Sequence, residues 1–228
     1  MEIDQNASDE TLIAIARTPA ARLHFSQLGE DCLLWHYFHT VIGGFYVDVG
    51  CHHPTRYSNT YLLHNFRQWR GINIDADERA IAKFQESRPG DINLTLGVGA
   101  FAGEREFTIF NDGAVNTFDS RMALQQQVNF GTPKITKVSI LPLADILDRY
   151  LPPDVSIDYM NVDCEGLDHE VVASNNWSKY RPKILTVELF GFPIENPLSH
   201  QTVSFLKAQG YKVISYLHAT LFFERIGG

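Results

Sequence analysis

The sequence predicts an α/β fold with a mostly parallel sheet and helices on both faces. Short apolar runs that end in a glycine or an acidic residue alternate with stretches of helical character along the chain. Parallel neighbouring strands need crossover connections, and this alternation supplies them. At 228 residues, of which 44% are hydrophobic, the chain is long enough to bury a large core. We predict an N-terminal helical extension over residues 1–40 and a single α/β domain over residues 41–228.

The first half of the chain supplies the first strand–helix–strand units. Two of its apolar runs close on Gly50 and Asp75, as buried strands do where they reach a loop. Ser26 stands before a helical stretch as a candidate cap. The predicted strands are 45–49, 71–74 and 92–98, and the predicted helices are 10–17, 29–39, 58–68 and 78–87.

The second half continues the alternation and closes the sheet. Residues 104–110 alternate polar and apolar side chains, which indicates a hairpin or an edge strand. The polar segment 111–134 is longer than most connections, and we interpret it as an irregular substrate lid. A turn at His218-Ala219 indicates an antiparallel pair of closing strands. The predicted helices are 143–150, 167–173 and 199–209, and the predicted strands are 156–162, 183–189, 211–217 and 220–224.

Composition narrows the classes of partner. The chain has 19 Lys and Arg against 27 Asp and Glu, a formal net charge of -8. That balance disfavours a nucleic-acid partner and favours a small, neutral or polyhydroxylated substrate. An acidic start and the lack of an apolar run of ~20 residues predict neither a secretory signal nor a membrane span. Three scattered cysteines argue against a disulfide framework and a zinc site, so we predict a cytoplasmic protein and leave a homo-oligomer open.

Acidic residues follow most of the predicted parallel strands. In an open α/β sheet, ligands bind beyond the carboxyl ends of the strands, so these residues are candidates for the site. They are Asp48, Asp75, Asp163 and Glu188. At the first strand, Gly50 allows the backbone to approach a ligand, with Asp48 beside it.

Asp75 has two compatible interpretations. An acid at the end of the second strand binds both hydroxyls of a ribose in nucleotide-binding folds, or it caps the following helix before Glu78. The fingerprint G-x-G-x-x-G is missing, because Cys51, His52, His53 and Pro54 follow Gly50. This disfavours a nicotinamide or flavin oxidoreductase. It favours a nucleoside ligand without phosphates, and S-adenosylmethionine is the obvious one.

Five segments of the chain resemble one protein family in order and spacing. They are SQLGED (26–31), FYVDVGCHHPTRYSNT (45–60), WRGINIDA (69–76), NVDCEGLDHEVV (161–172) and LTVE (185–188). Together they resemble the FkbM family of methyltransferases, and the resemblance spans most of the chain from about residue 25 onward.

The resemblance implies a Rossmann-like class I methyltransferase fold, with a seven-stranded sheet ending in an antiparallel hairpin. It also implies transfer of a methyl group from S-adenosylmethionine to oxygen, and many family members act on sugars or polyketide hydroxyls. By position, Asp48 and Gly50 match the cofactor loop, Ser58 and Asn59 match the adjoining helix start, and Asp75 matches the ribose acid. Broader methyltransferases have further glycines where this chain has His53-Pro54, so the path of that loop is its own.

An alcohol is a poor nucleophile at neutral pH, so the enzyme needs a general base or a cation. Asp163 and Glu188 end predicted neighbouring strands, roughly 5 Å apart at the backbone. Two such carboxylates repel unless they share a proton or bind a cation. With Glu165 they form a candidate Mg²⁺ site that would bridge a sugar diol. The alternative is that Asp163 and Glu165 cap the helix beginning at Gly166, while Glu188 bonds a loop.

Histidines are the other candidates for the base. His218 and His53 fall where loops meet the predicted active face, and we prefer these two, with Asp163 as a further catalytic candidate. His52 and His169 are weaker candidates, because His169 stands one turn after Glu165 and would pair with it. Asn116-Thr117 resembles a pair that the family carries and either contacts the substrate or forms an ordinary turn.

These observations favour an O-methyltransferase that acts on a sugar, a glycan precursor or a related small molecule. A non-catalytic scaffold with the same fold is the first alternative, although it would not need so many acids on one face. A methyltransferase acting on a nucleic acid or a protein is the second. The acidic balance and the lack of a basic run weigh against a nucleic-acid substrate.

Overall fold

A computed structural model describes residues 23–227 of the chain. Its strands, in chain order, are β1 (Phe45–Val49), β2 (Arg70–Asp75), β3 (Ile92–Thr95), β4 (Gly97–Val98), β5 (Gly103–Ile109), β6 (Lys134–Leu141), β7 (Tyr159–Val162), β8 (Ile184–Glu188), β9 (Tyr211–Leu217) and β10 (Thr220–Arg225). Its helices are α1 (Glu30–Phe38), α2 (Tyr61–Arg67), α3 (Glu78–Ser87), α4 (Ser120–Phe130), α5 (Leu143–Tyr150), α6 (Asp168–Ala173) and α7 (Gln201–Ala208). Single 3₁₀ turns lie at Gly113–Val115 and Pro197–Ser199.

Seven strands form the central sheet in the order β3-β2-β1-β7-β8-β10-β9. The first five are parallel neighbours, whereas β10 runs antiparallel to both β8 and β9. This confirms the predicted seven-stranded, mostly parallel sheet with an antiparallel C-terminal hairpin. Because the carboxyl ends of the parallel strands meet at one edge, the residues that follow β1, β2, β7 and β8 lie together.

Both faces of the central sheet are buried. Along β1, Val47 packs into a large apolar cluster on one face, while Tyr46 packs into a second cluster on the other. Successive side chains of a strand point to opposite faces, so continuous apolar strands need cover on both sides. This burial explains why the parallel strands appear in the sequence as short apolar runs.

Helix α1 belongs to the core of the second face. Its Leu34 and Phe38 pack with Trp69 and Tyr159, and the rings of Phe38 and Trp69 lie 4.9 Å apart between centroids. The predicted helix at 29–39 is therefore confirmed, whereas the one predicted at 10–17 lies outside the described residues. No helix within residues 23–227 is both long and apolar enough to cross a membrane.

The predicted third strand, 92–98, was wrong as a single element. The chain leaves the central sheet after Thr95, and Gly97–Val98 pairs instead with the end of β6. β6 also pairs antiparallel with β5, which gives a separate sheet of order β4-β6-β5. Gly97 permits the crossing, because a Cβ there would meet the Ile140 side chain at 2.5 Å.

The prediction of an irregular segment at 111–134 was also wrong. Residues 120–130 form helix α4, capped by Asp119, whose Oδ1 accepts hydrogen bonds from the main-chain N–H groups of Arg121 and Met122. The helix ends at Gly131, which has a φ of 78°. Its sequence is rich in glutamine and has little apolar periodicity, so the cap and the glycine were the available signals. Movement of this segment as a lid stays a prediction.

Candidate active site

A cavity of about 340 Å³ opens at the carboxyl ends of β1, β2, β7 and β8. One wall comes from the loops that follow these strands. Segment 113–118 and two side chains of α4 form another wall, and Gln27, which precedes α1, and Glu30, its first residue, also line the cavity. Such an edge is where open α/β sheets bind ligands.

Gly50 makes the sharp turn that follows β1. Its φ is 77°, a region in which a side chain is strained, and its N–H donates to the Ile74 carbonyl over 2.9 Å. A Cβ on Gly50 would lie 1.7 Å from the main-chain oxygen of Asp163. The glycine therefore lets the loops after β1 and β7 pack backbone against backbone at the base of the cavity.

Asp48 is buried and held by two side chains. Its oxygens accept hydrogen bonds from Thr60 Oγ1 and Asn161 Nδ2, each at 3.0 Å. Burial raises the pKa of Asp48, and these hydrogen bonds together with the charge of Arg88 oppose that rise. Asn59 donates to Asn161 Oδ1 over 3.1 Å and lines the cavity. Asp48 and Asn59 thus lie where the sequence predicted a cofactor contact.

Ser58 lies behind the cavity wall and serves a different group. Its Oγ is 3.1 Å from Nη2 of Arg88, a guanidinium that is 1% exposed. Arg88 also donates to Tyr46 Oη and Thr60 Oγ1, both at 2.9 Å, and to the Pro54 carbonyl. This buried arginine ties the loop after β1 to the end of α3. No sequence signal pointed to this role beyond the position of Arg88 just after a predicted helix.

Asp75 joins the loop after β1 to the start of α3. Its two oxygens accept from the N–H groups of His52, over 2.9 Å, and Asp77, over 2.8 Å. Asp77, not Asp75, caps α3 by accepting from the Arg79 N–H. Burial raises the pKa of Asp75 to about 6. Each carboxylate oxygen has a further lone pair, so Asp75 keeps the capacity to accept two ribose hydroxyls.

Asp163, Glu165 and Glu188 converge, as the strand order predicted. One oxygen of each lies within 4.8 Å of the others, and all three residues line the cavity. Glu165 has a left-handed φ of 47°. Asp168 supports this loop, because its carboxylate accepts from the N–H groups of Cys164 and Gly166 at 2.8 and 3.1 Å.

The structure does not place Asp163 and Glu165 as helix caps. Helix α6 begins at Asp168, and the residue at its N-cap position is Leu167, which makes no side-chain cap. Glu188 is 9% exposed, and its Oε2 has no hydrogen-bond partner among the described residues. Burial raises the pKa of Glu165, to about 8, and that of Glu188 as well. The charge of the neighbouring Asp163 is the second cause for both residues. Oxygen ligands so arranged suit a hard divalent cation.

The predicted histidines differ in position. His218 lies in the turn between β9 and β10 and lines the cavity. The Nδ1 of His53 accepts from the N–H groups of Thr55 and Arg56 at 3.1 Å, and His53 is not part of the described wall. His52 does line it, and burial lowers the pKa of His52 to about 4. His169 lies 3.1 Å from Thr202 Oγ1 instead of pairing with Glu165.

Two further groups of wall residues complete the cavity. Asn116 donates to Asp77 Oδ2 over 3.0 Å, and Thr117 donates to the Glu165 carbonyl over 2.9 Å, so this pair braces the wall it lines. Glu30 was missed as a site residue, although it stands in a family-like segment. It is 4% exposed, and its Oε2 accepts from the Leu28 N–H over 2.9 Å.

Comparison with known families decides the class of protein. The sequence model of the methyltransferase FkbM domain matches residues 48–213, more than half of the chain. The chain belongs to this family. The FkbM resemblance is therefore confirmed, as is the Rossmann-like methyltransferase fold, and the chain is a methyltransferase. A comparison with curated proteins finds no match.

The match gives the cavity its chemical context. It begins at Asp48 and ends at Val213, so it includes the loop after β1 and the acidic residues that follow β2, β7 and β8. Glu30 precedes the matched range and His218 follows it. The matched FkbM domain thus contributes most of the wall, and residues on either side of the matched range complete it.

Proposed function

We propose that this FkbM methyltransferase transfers the methyl group of S-adenosylmethionine to a hydroxyl of a sugar, a glycan precursor or a related small molecule. One observation carries the proposal: Gly50 and Asp75 both line the cavity at the carboxyl ends of the paired strands β1 and β2, where a nucleoside ligand would bind. Asp48 lies behind them with both oxygens hydrogen-bonded. No phosphate-binding glycine repeat follows Gly50.

The residues present fit this cofactor. Asp75 has lone pairs for two ribose hydroxyls, and Asn59 presents an amide at the wall. S-adenosylmethionine would supply an electrophilic methyl group on its sulfonium. The role of the chain is then to orient the acceptor hydroxyl toward that methyl group, to exclude water and to take the hydroxyl proton.

His218 is the proposed base. It is the histidine of the preferred pair that lines the cavity, as do Thr220 and Glu188. His53 is the weaker candidate, because its Nδ1 is occupied by two backbone N–H groups. Asp163 supports the same wall, and we propose it as a ligand of the acceptor or of a cation.

A divalent cation at Asp163, Glu165 and Glu188 is a second proposal. The close approach of three carboxylates and the unpartnered Oε2 of Glu188 support it. Bound Mg²⁺ would act there as a Lewis acid on the oxygens of a sugar diol. Without a cation, Asp163 and Glu188 would share a proton. Their raised pKa values, caused first by burial, agree with this.

The alternatives predict different ligands. A non-catalytic scaffold needs no buried, unpartnered carboxylate such as Glu188. A nucleic-acid substrate needs basic residues beside the cavity, and the described wall has no lysine or arginine. We therefore propose a small-molecule or saccharide partner, with no nucleic-acid or membrane partner. A cytoplasmic location and a homo-oligomer stay predictions from the sequence.

The test has two stages. Binding of S-adenosylmethionine is measured by calorimetry, and transfer of labelled methyl is then measured on a panel of sugars and nucleotide sugars, with Mg²⁺ and with a chelator. Saturable binding followed by transfer to at least one hydroxyl supports the proposal. Failure to bind the cofactor contradicts it, and binding without transfer to any acceptor favours the scaffold. Loss of transfer on chelation would establish the metal, and undiminished transfer would contradict it.

A further inference from the structure

Carboxylates predominate among the ionisable side chains of the cavity wall. Six carboxylates line it, and the lining residues among those described include no lysine or arginine. The six are Glu30, Asp48, Asp75, Asp163, Glu165 and Glu188. They come from α1 and from the ends of four strands, so the acidity surrounds the cavity.

Three arginines near the cavity are engaged outside its wall. Arg79 pairs with Asp77 at 2.6 Å, and Arg105 pairs with Glu170 at 3.0 Å. Arg88 is buried behind the loop and donates to four oxygens of the loop and of β1. Each of these guanidinium groups is thus directed to an acceptor outside the cavity wall.

Shared protons do not change the sign of the wall. Burial and the neighbouring Asp163 raise the pKa of Glu165 to about 8, so this carboxyl is mostly protonated at neutral pH. A protonated carboxyl is neutral and donates one hydrogen bond, but it does not attract an anion as an ammonium or a guanidinium does. His52 adds no positive charge either, because burial lowers its pKa to about 4.

An anion would therefore enter this cavity without a counter-charge and lose its hydration. A cation would exchange water for carboxylate oxygens, among them the unpartnered Oε2 of Glu188. In a partly buried cavity these interactions are screened less than at the surface. The cavity thus discriminates between ligands of equal shape by their charge.

We infer that the cavity selects for positive charge: it binds S-adenosylmethionine more tightly than the demethylated product, and it takes acceptors that carry no phosphate or carboxylate. This rests on the proposed function, since the cofactor's net charge is positive and that of S-adenosylhomocysteine is zero. The selection helps the product leave after each turnover. It also places the acceptor among free sugars, amino sugars and other uncharged or cationic alcohols, apart from sugar phosphates and nucleotide sugars.

The first experiment measures binding by calorimetry, both with a chelator and with Mg²⁺. The ligands are S-adenosylmethionine, S-adenosylhomocysteine, adenosine and adenosine 5′-monophosphate. We expect S-adenosylmethionine to bind at least about tenfold more tightly than S-adenosylhomocysteine, and adenosine at least about tenfold more tightly than its monophosphate.

Variants test whether the wall carboxylates cause the selection. Asp163→Asn combined with Glu188→Gln removes the charge that this pair keeps at neutral pH, so it should reduce the preference for S-adenosylmethionine to about threefold or less and tighten binding of the monophosphate. Glu30→Gln alone keeps an oxygen for the Leu28 N–H; it should give part of that effect and serves if the double variant does not fold. Glu86→Gln removes the same type of charge from an exposed position on α3 and should keep the preference of the parent.

The outcomes separate the two proposals. If, with the chelator present, the parent binds S-adenosylhomocysteine as tightly as S-adenosylmethionine, or the monophosphate as tightly as adenosine, this inference is wrong and the proposed function stands. If the parent binds none of the four ligands, the proposed function is wrong as well.

The second experiment tests the acceptor. Labelled methyl transfer is measured on pairs that differ only in a phosphate, such as glucose with glucose 6-phosphate and glucosamine with glucosamine 6-phosphate, and on nucleotide sugars. We expect any transfer to favour the unphosphorylated member by at least about tenfold. Transfer confined to a phosphorylated or nucleotide-linked acceptor would overturn the inference.

Discussion

Gly50 lies against the main-chain carbonyl of Asp163, so closely that a Cβ on Gly50 would stand 1.7 Å from that oxygen. This contact joins the two halves of the proposed site. The loop after β1 faces the nucleoside side, and the end of β7 carries the first acid of the candidate cation site. A side chain at residue 50 would therefore displace both halves at once.

Gly50→Ala is expected to weaken binding of S-adenosylmethionine by at least about tenfold, because the backbone must shift and the residue must keep a positive φ. Calorimetry measures the dissociation constant, and thermal unfolding measures the accompanying loss of stability. Gly103→Ala is the matched control, since nothing lies within 4 Å of its Cβ. Equal affinity in the two variants would refute the close approach at Gly50.

Arg88→Met is expected to lower the free energy of unfolding by about 3–5 kcal/mol, because it leaves Asp48, Tyr46 and Thr60 without the buried cation they face. Chemical denaturation gives this value. Arg121→Met is the control, since the Arg121 side chain is 90% exposed, and it should change stability by less than about 0.5 kcal/mol. Similar stabilities for the two variants would show that Arg88 does not hold the loop.

Binding of S-adenosylmethionine should strengthen as the pH rises through about 6 and level off above it. The ribose hydroxyls donate to the ionised form of Asp75, and burial raises the pKa of that carboxyl to about 6, with further contributions from Asp77 and Asp48. The pKa of Asp75 is higher in the folded chain than in the unfolded chain, so the bound proton stabilises the folded state at low pH. This stabilisation is lost as the pH rises through about 6. Asp75→Asn should flatten the affinity profile, and an unchanged profile in that variant would assign the titration to another group.

His218→Asn should lower the rate constant of methyl transfer by about a hundredfold or more, since it removes the proposed base from the wall. His53→Asn should stay within about twofold of the parent, because His53 lies outside the described wall. Steady-state kinetics on the best acceptor compare the two. A parent-like rate for His218→Asn would remove this histidine from the mechanism and shift the role to the carboxylates.

Much of the fold was predictable because the apolar strands are buried on both faces and end in recognisable residues. The α3 and α5 helices have strong amphipathic patterns and were predicted with the bounds observed. By contrast, α4 is largely exposed and has a weak pattern. The break after Thr95 depends on tertiary pairing with β6, which no local signal specifies.

The candidate site was predictable where a residue ends a strand. Parallel topology brings Asp163 and Glu188 together, so their proximity followed from the order of the strands. Glu30 and Arg88 could not be found in this way, because each lies at the end of a helix and reaches the site or its support only through tertiary packing. Ser58 illustrates the same limit: its neighbour Asn59 lines the cavity, while Ser58 itself faces Arg88.

Calorimetric titration with S-adenosylmethionine, on the parent and on Asp75→Asn, tests the central claim most directly. We expect saturable binding with one site per chain in the parent, and binding weaker by at least about tenfold in the variant, which loses an acceptor for the ribose. No binding to the parent, or equal binding to both proteins, would contradict a nucleoside site at the loop that follows β1.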